Sequence, residues 1–258
     1  MRENGVSMKI IFSLILITFG LTAFGKDYSV ITDLDDTLKI TNVSNTTAAI
    51  RNALFSKKAF KGMPELLKEM ENYTNDTYIL SASPEILSRR VDSFIDFHDL
   101  QIRDVYLRKI FTGESKLDYK VSAVNDIITR IQDDQLILIG DDIEVDADAY
   151  LVIKNENIDR VAAIYIHKVN NSELNENVIG YYTAYDIALN EYLAGRMSSL
   201  KAGLIGKDIL LTKDLSDYFP SFAHCPKELE EFQDLRINIL SGLTSQIRKK
   251  ITKYCSSL

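Results

Sequence analysis

The stretch "VITDLDDTLKIT", from Val30 to Thr41, carries a short apolar run directly into a cluster of carboxylates. The run is β-branched and apolar, as in a buried strand, and Asp33, Asp35 and Asp36 follow it closely. Like charges this close together raise one another's pKa or need a cation between them, so the cluster lowers stability unless it has a use. The stretch therefore predicts a functional site at the end of a buried strand.

The bulk composition is that of a globular protein. The chain has 258 residues, of which 46% are hydrophobic and 26% are charged. This length is sufficient for one sizeable α/β domain with an appendage. A formal net charge of −7 argues against a nucleic-acid partner, because nucleic-acid-binding domains usually carry a basic face. Composition does not determine the oligomeric state.

The first 25 residues have the pattern of a signal peptide. An apolar run from Ile10 to Phe19 is followed by Ala-Phe-Gly at positions 23–25, which is the small-x-small pattern of a cleavage site. We expect cleavage before Lys26 and export of the chain, as a periplasmic or secreted protein. An uncleaved N-terminal anchor is the alternative, although the apolar run is short for a membrane span.

The only cysteines, Cys225 and Cys255, lie in the C-terminal third of the chain. An exported location permits a disulfide between them, but their spacing does not decide whether it forms. Neither cysteine is followed by arginine six positions later, which excludes a cysteine-based phosphate-binding loop.

Short apolar runs bounded by turn or helix signals recur along the chain and predict buried strands of a parallel sheet. These runs are Tyr28–Thr32, Thr77–Leu80, Leu136–Ile139 and Val161–Ile166. Helical patterns lie between them, at Met63–Tyr73, Glu85–Phe97 and Lys120–Ile131. The alternation of strand and helix predicts an α/β fold with a doubly wound, three-layer parallel sheet.

Two segments lie outside this alternation. Leu38–Lys61 is a polar excursion too long for a tight connection, and we expect it to form a small cap over the site. After about residue 170, helical patterning replaces the strands. The predicted organisation is a signal peptide at 1–25, an α/β core at 26–169 and a helical C-terminal extension at 170–258.

Polar residues follow three of the predicted strands. Asp33, Ser81 and Asp141 each stand where a strand ends. Because ligands of doubly wound sheets bind at the carboxyl ends of the strands, we expect these three side chains to converge on one crevice.

The residue types in this crevice fit phosphoryl transfer. Asp33 can attack phosphorus, while Asp35 can protonate the leaving oxygen and then activate water. Ser81 can donate a hydrogen bond to a phosphoryl oxygen. Lys120 can neutralise the charge that develops, with Lys116 as the alternative lysine.

Carboxylates that face an anionic phosphate need a divalent cation, and Mg²⁺ prefers oxygen ligands. The predicted ligands are the carboxylate of Asp33, the main-chain carbonyl of Asp35 and the carboxylate of Asp141. Asp146, five residues after Asp141, is expected to assist coordination or to support the ligands from behind.

In order and spacing, these residues resemble the four motifs of the haloacid dehalogenase superfamily of aspartate-nucleophile phosphatases. The motifs correspond to Asp33-x-Asp35-x-Thr37, Ser81, Lys120 and Gly140-Asp141-x₄-Asp146. More narrowly, "DLDDTLKIT", "ILSASP", "VYLRK", "ILIGDDIEVDADAY" and "IYI" are similar to the phosphatidate phosphatase catalytic domain first described from yeast actin patches. This resemblance implies a Mg²⁺-dependent reaction through a phospho-aspartyl intermediate, a lipid phosphate as substrate, and peripheral contact with a membrane.

The sequence departs from that narrower family at three places. Glu85 stands where the family usually has tryptophan, Asp142-Ile143 where it usually has Ser-Gly, and His167 where it usually has arginine. The departures bear on the substrate and leave the chemical positions intact. A soluble phosphomonoester is therefore the alternative substrate, and a non-catalytic acidic metal-binding module is the alternative of a different class.

Other polar residues have simpler interpretations. We expect Asp36 to order its own loop by accepting backbone hydrogen bonds. His98, His167 and His224 are scattered without the spacing of a zinc site. The basic segment Arg248–Lys253 is either a solvated helix end or a face for anionic lipid.

Overall fold

The computed structural model describes residues 27–42, 56–109, 112–131 and 133–258. Its strands are β1 Tyr28–Thr32, β2 Thr74–Pro84, β3 Asp104–Arg108, β4 Gln135–Asp141, β5 Val161–His167 and β6 Ile179–Tyr181. Its helices are α1 Met63–Met70, α2 Ser88–His98, α3 Lys116–Arg130, α4 Asp146–Glu156, α5 Ala184–Leu193, α6 Ser199–Leu211 and α7 Ser241–Cys255. The strands form one parallel sheet in the order β3-β2-β1-β4-β5-β6.

The sheet is covered by helices on both faces. Successive strand residues alternate between the faces, so Val30 packs into one core layer and Ile31 into the other. Helices α3 and α4 cover the Ile31 face, while α1, α2 and the helices after β6 cover the Val30 face. The predicted three-layer, doubly wound α/β fold is confirmed.

The element boundaries differ from the predicted ones where local capping decides them. Strand β2 continues to Pro84, and a 3₁₀ turn at Glu85–Leu87 precedes α2. Helix α3 begins at Lys116 rather than Lys120, because the hydroxyl of Ser115 accepts a 3.0 Å hydrogen bond from the backbone N–H of Asp118.

Two strands were not predicted from the sequence. Strand β3 lies at one edge of the sheet and most of its residues are only half-buried, so it lacks a continuous apolar run. Strand β6 has three residues and lies at the other edge. Because β6 pairs with β5, the segment after residue 170 is not purely helical; the division of the chain at that position stays a prediction.

A buried ionic network joins this later segment to the core. The carboxylate of Glu191 on α5 is inaccessible to solvent and accepts hydrogen bonds from the hydroxyls of Tyr73 and Tyr165, at 3.0 and 2.5 Å. The guanidinium of Arg196 also pairs with it, at 2.6 Å. The network balances a buried charge on the face of the sheet that α5 covers.

A disulfide joins Cys225 to Cys255, whose Cα atoms are 5.3 Å apart. It links the segment after α6 to the last residue of α7. The spacing of the two cysteines did not decide whether this disulfide forms. No helix in the described ranges is long and apolar enough to cross a membrane.

Two predicted segments lie wholly or partly outside the described residues. The predicted signal peptide is one of them. Of the predicted cap at Leu38–Lys61, only the two ends are described, and they lie side by side. The backbone N–H of Phe60 donates to the carbonyl of Leu38 at 2.9 Å, and that of Ile40 donates to Lys58 at 3.0 Å.

Candidate active site

The loop after β1 carries two of the predicted site residues into a cleft at the carboxyl end of the sheet. The backbone N–H of Asp33 donates to the carbonyl of Ile139 on β4 at 2.8 Å, so Asp33 still follows the path of the strand. Leu34 is buried in the core, whereas Asp33 and Asp35 line the cleft. Alternation along the chain therefore directs both carboxylates to the same space.

Asp36 orders this loop, as predicted. Its backbone has a φ of 57°, and its carboxylate accepts hydrogen bonds from the N–H groups of Thr41 and Asn42 at 2.9 and 2.8 Å. Its carbonyl accepts a 2.8 Å hydrogen bond from Nδ1 of His167. Burial lowers the pKa of His167, which is a buried core residue that supports the loop.

Two serines at the end of β2 hold the carboxylate of Asp35. The hydroxyl of Ser83 donates to Oδ2 of Asp35 at 2.7 Å, and that of Ser81 donates to the same oxygen at 3.2 Å. Burial raises the pKa of Asp35, and the two hydrogen bonds oppose this shift. A raised pKa suits a group that must donate a proton. Sequence reasoning missed Ser83, although it stands in the quoted "ILSASP".

Lys120 lies beneath the cleft and holds Asp33. Its ammonium donates to Oδ1 of Asp33 at 2.8 Å and also to Asp146, and the lysine side chain is 1% exposed. Burial alone would lower the pKa of Lys120, but Asp146 and Asp33 raise it well above its usual value, so the group is a fixed cation. Burial raises the pKa of Asp33, and Lys120 opposes that shift.

Asp141 ends β4 and is held by its own loop. Its Oδ1 accepts from the N–H of Ile143 at 2.7 Å, and its Oδ2 accepts from the hydroxyl of Thr37 at 3.3 Å. Asp146 supports it from behind, because Oδ2 of Asp146 accepts from the backbone N–H of Asp141 at 3.2 Å. A Cβ atom at Gly140 would lie 2.6 Å from Asp146, so only glycine allows this close approach.

Three carboxylates form a cluster of the kind that holds a divalent metal ion. Asp33, Asp141 and Asp146 are buried, and each offers an oxygen within 4.8 Å of the others. Lys120 supplies one positive charge against these three carboxylates, so the ionised cluster keeps two uncompensated negative charges. A divalent cation with a preference for oxygen ligands fits that set. The carboxylate of Asp35 is not part of the cluster, and coordination by its carbonyl stays a prediction.

The cleft lined by these residues has a volume of about 470 Å³, and its lining is partly polar and partly apolar. Its polar lining includes the aspartates and serines, which we call the floor. Pro84, Ile86 and Leu87 are apolar lining residues close together in the chain, which we call the apolar wall, and Ile86 is 79% exposed. Ile143 is a further apolar lining residue. An aliphatic side chain this exposed beside polar residues leaves apolar surface available to a ligand.

Two basic residues, Arg108 and Lys116, also line the cleft. Lys116 forms an ion pair with Glu144, another lining residue, whereas Lys120 pairs with Asp33. The predicted Lys120 and its alternative, Lys116, thus have different positions, and of these two lysines only Lys120 contacts the predicted nucleophile. Among the described residues, none after Glu144 lines the cleft.

The family model of the phosphatidate phosphatase APP1 catalytic domain matches residues 28–168, more than half of the chain. The chain belongs to this family. The APP1 catalytic domain is a phosphoric monoester hydrolase of the haloacid dehalogenase type, as the motifs predicted. The matched residues include every predicted site position, from Asp33 to Asp146.

Other comparisons add little to the family assignment. No curated protein matches the sequence. One chain of a solved structure, described as the Pnkp1/Rnl/Hen1 complex, is 16% identical with a TM-score of 0.38. The match covers 52% of the present chain and 44% of that chain, so this chain spans less than half of the relative's length.

Proposed function

We propose that this protein is an exported, Mg²⁺-dependent phosphatase that hydrolyses phosphatidate or a related lipid phosphate through a phospho-aspartyl intermediate on Asp33. One observation carries the proposal. Two aspartates line the same cleft: Asp33, which accepts a hydrogen bond from Lys120, and Asp35, which accepts one from Ser83. The cleft also has an apolar wall. Family membership supports the reaction class, and the wall supports the substrate class.

The first half of the reaction uses both aspartates. A carboxylate oxygen of Asp33 forms a bond to phosphorus while the bond from phosphorus to the leaving oxygen breaks. Asp35 gives its proton to that oxygen, so the alcohol leaves neutral. Lys120 fixes the orientation of Asp33, which cannot turn away from the cleft without breaking a buried ion pair.

The second half returns the enzyme to its starting state. Asp35, now a carboxylate, accepts a proton from water as the water oxygen attacks phosphorus, and the bond from phosphorus to Asp33 breaks. Ser83 holds Asp35 in both steps, while the longer bond from Ser81 leaves its hydroxyl able to turn toward a phosphoryl oxygen. When bound by Asp33 and Asp141, Mg²⁺ would offset negative charge on the cluster and the phosphate.

The apolar wall supports a lipid substrate. Asp33, Ile86 and Leu87 line the same cleft, so a ligand with its phosphate at Asp33 would bring its neighbouring methylenes toward Ile86 and Leu87. Each methylene that leaves water there contributes about 0.8 kcal/mol to binding. The chemistry at phosphorus is the same for a soluble phosphomonoester, so the wall and not the aspartates must provide the discrimination.

A comparison of two esters tests the substrate. We expect kcat/KM for micellar phosphatidate to exceed that for glycerol 3-phosphate by more than about tenfold, since a few buried methylenes suffice. The substitution Ile86→Ser should lower the value for phosphatidate and leave that for glycerol 3-phosphate unchanged. Ile158→Ser is the matched control. Ile158 is 71% exposed, but it lies just before β5 begins, whereas the cleft lies where the strands end. Equal values for both esters in the unsubstituted enzyme would favour the soluble substrate.

Export is supported by the N-terminal sequence pattern and by the disulfide, since disulfides persist in oxidising compartments. Expression of the full chain in its host, followed by fractionation and intact-mass measurement, tests it. We expect a mature protein outside the cytoplasm that begins at Lys26. A chain that stays in the cytoplasm with its first 25 residues intact would contradict export.

A further inference from the structure

Arg108 occupies a position that the chemistry described above does not explain. It is the last residue of β3 and it lines the cleft together with Asp33, Asp35 and Ser83. Within the described part of the chain, its guanidinium has no acidic or hydrogen-bonding partner, whereas Lys116, the other basic lining residue, is paired with Glu144. A partly buried arginine that faces a cleft without a partner is available to an anionic ligand.

The charges of the site call for such a residue. With a divalent cation bound, the charges of that cation and Lys120 would equal those of the carboxylates of Asp33, Asp141 and Asp146, so the loaded cluster would have no net positive charge. A phosphate monoester brings further negative charge to this floor. A cation outside the cluster would offset the charge that the phosphate adds to the site.

The sheet topology places Arg108 on the β3 side of the cleft, whereas Lys120 contacts Asp33 and Asp146, which follow β1 and β4. Strand β3 is separated from β1 by β2, which is a distance of about 10 Å at two strand spacings. The register pairs Arg108 with Pro84, just beyond Ser83. The arginine thus begins at the level of the serines and has a long side chain with which to cross the cleft toward the floor.

We infer that Arg108 binds the phosphate group of the substrate, with its guanidinium on the β3 side of the cleft. The inference rests on the proposed phosphatase function and adds a residue to it. A guanidinium suits this position because its planar N–H groups can pair with two phosphate oxygens at once, which an ammonium cannot do.

Inorganic phosphate is the probe for this inference, because it is the reaction product and lacks a leaving group. Titration calorimetry with Mg²⁺ present should show roughly tenfold to hundredfold weaker phosphate binding for Arg108→Ala, as expected for the loss of a hydrogen bond to a charged group. The phosphate affinity of Arg108→Lys should lie between that of the wild-type protein and that of Arg108→Ala. KM for a phosphomonoester should rise in the same order.

Arg103→Ala is the matched control. Arg103 stands just before the opposite end of the same strand, is exposed, and lies outside the residues that line the cleft. It should leave phosphate binding unchanged. Thermal unfolding of each variant separates loss of the fold from loss of binding, and Arg108→Lys keeps the side chain long should Arg108→Ala fail to fold.

The outcomes separate this inference from the proposed function. Wild-type affinity for phosphate in Arg108→Ala, or no phosphate binding by the wild-type protein with Mg²⁺, overturns the inference. Phosphate binding that depends on Arg108 in a protein that hydrolyses no phosphomonoester supports the inference and overturns the proposed function.

Discussion

The ammonium of Lys120 lies 2.8 Å from Oδ1 of Asp33, and the two side chains are 1% and 5% exposed. The same ammonium donates to Asp146, so one buried cation holds carboxylates from the end of β1 and the start of α4. The interaction joins residues 87 positions apart in the chain. It links stability to the reaction, because the residue that orients Asp33 also keeps a buried charge cluster intact.

Replacement of Lys120 should destabilise the protein. Lys120→Met leaves Asp33 and Asp146 buried without their cation, and we expect the free energy of unfolding at neutral pH to fall by about 3–5 kcal/mol. Lys116→Met, four residues earlier on the same helix, removes a partly exposed pair and should cost less than about 1 kcal/mol. Denaturant titration measures both. Equal losses of unfolding free energy in the two variants would show that burial does not make the Lys120 ion pairs more important for stability than the partly exposed Lys116 pair.

The deficit of Lys120→Met should depend on pH. Burial already raises the pKa of Asp33, and loss of the opposing lysine raises it further. The folded variant then binds a proton that the unfolded chain does not, so its stability improves relative to wild type as the pH falls from neutral to mildly acidic. Denaturant unfolding measured across that pH range should show that the difference in unfolding free energy between wild type and Lys120→Met becomes smaller as the pH falls. A difference that stays constant with pH would contradict this explanation.

Asp33→Asn should abolish turnover, because the amide keeps the shape of the side chain but cannot attack phosphorus. We expect a loss of roughly four orders of magnitude in kcat. Asp92→Asn, on the exposed side of α2, is the control and should keep full activity. Release of inorganic phosphate is the measurement, and retention of even a tenth of the activity would remove Asp33 from the role of nucleophile.

The two serines should have separable effects. Ser83→Ala removes the 2.7 Å hydrogen bond that positions Asp35, so kcat should fall with little change in KM. Ser81→Ala removes the hydroxyl proposed to turn toward phosphate, so its main effect should be on KM and on inhibition by phosphate. Steady-state kinetics on one substrate distinguishes the two, and identical kinetic profiles would refute the division of roles.

Metal removal should stop the reaction. Excess chelator should abolish phosphate release, Mg²⁺ should restore it, and Ca²⁺ should inhibit because its larger and more flexible coordination misplaces the substrate. Asp141→Asn should raise the Mg²⁺ concentration needed for half-maximal activity, since it weakens a carboxylate of the cluster. Full activity in chelator would exclude a metal-dependent reaction.

The sequence alone determined the fold class and the layout of the site. The buried strands β1, β4 and β5 carry short runs of apolar and β-branched residues, and a parallel sheet built from them must bring Asp33 and Asp141 to one edge. The edge strands β3 and β6 were not predicted, because most residues of β3 are only half-buried and β6 has only three residues, so neither has a clear hydrophobic pattern.

Tertiary structure alone decided which polar residues meet. Nothing local distinguishes Ser83 from other serines or Arg108 from other arginines until β2 and β3 lie beside the loop of Asp35. The sequence favoured Lys120 over Lys116, but only the packing of α3 shows that Lys120 is buried against Asp33 while Lys116 pairs with Glu144. Hydrophobic periodicity is local and specifies elements, whereas hydrogen bonds and ion pairs join residues far apart in the chain and depend on how those elements pack.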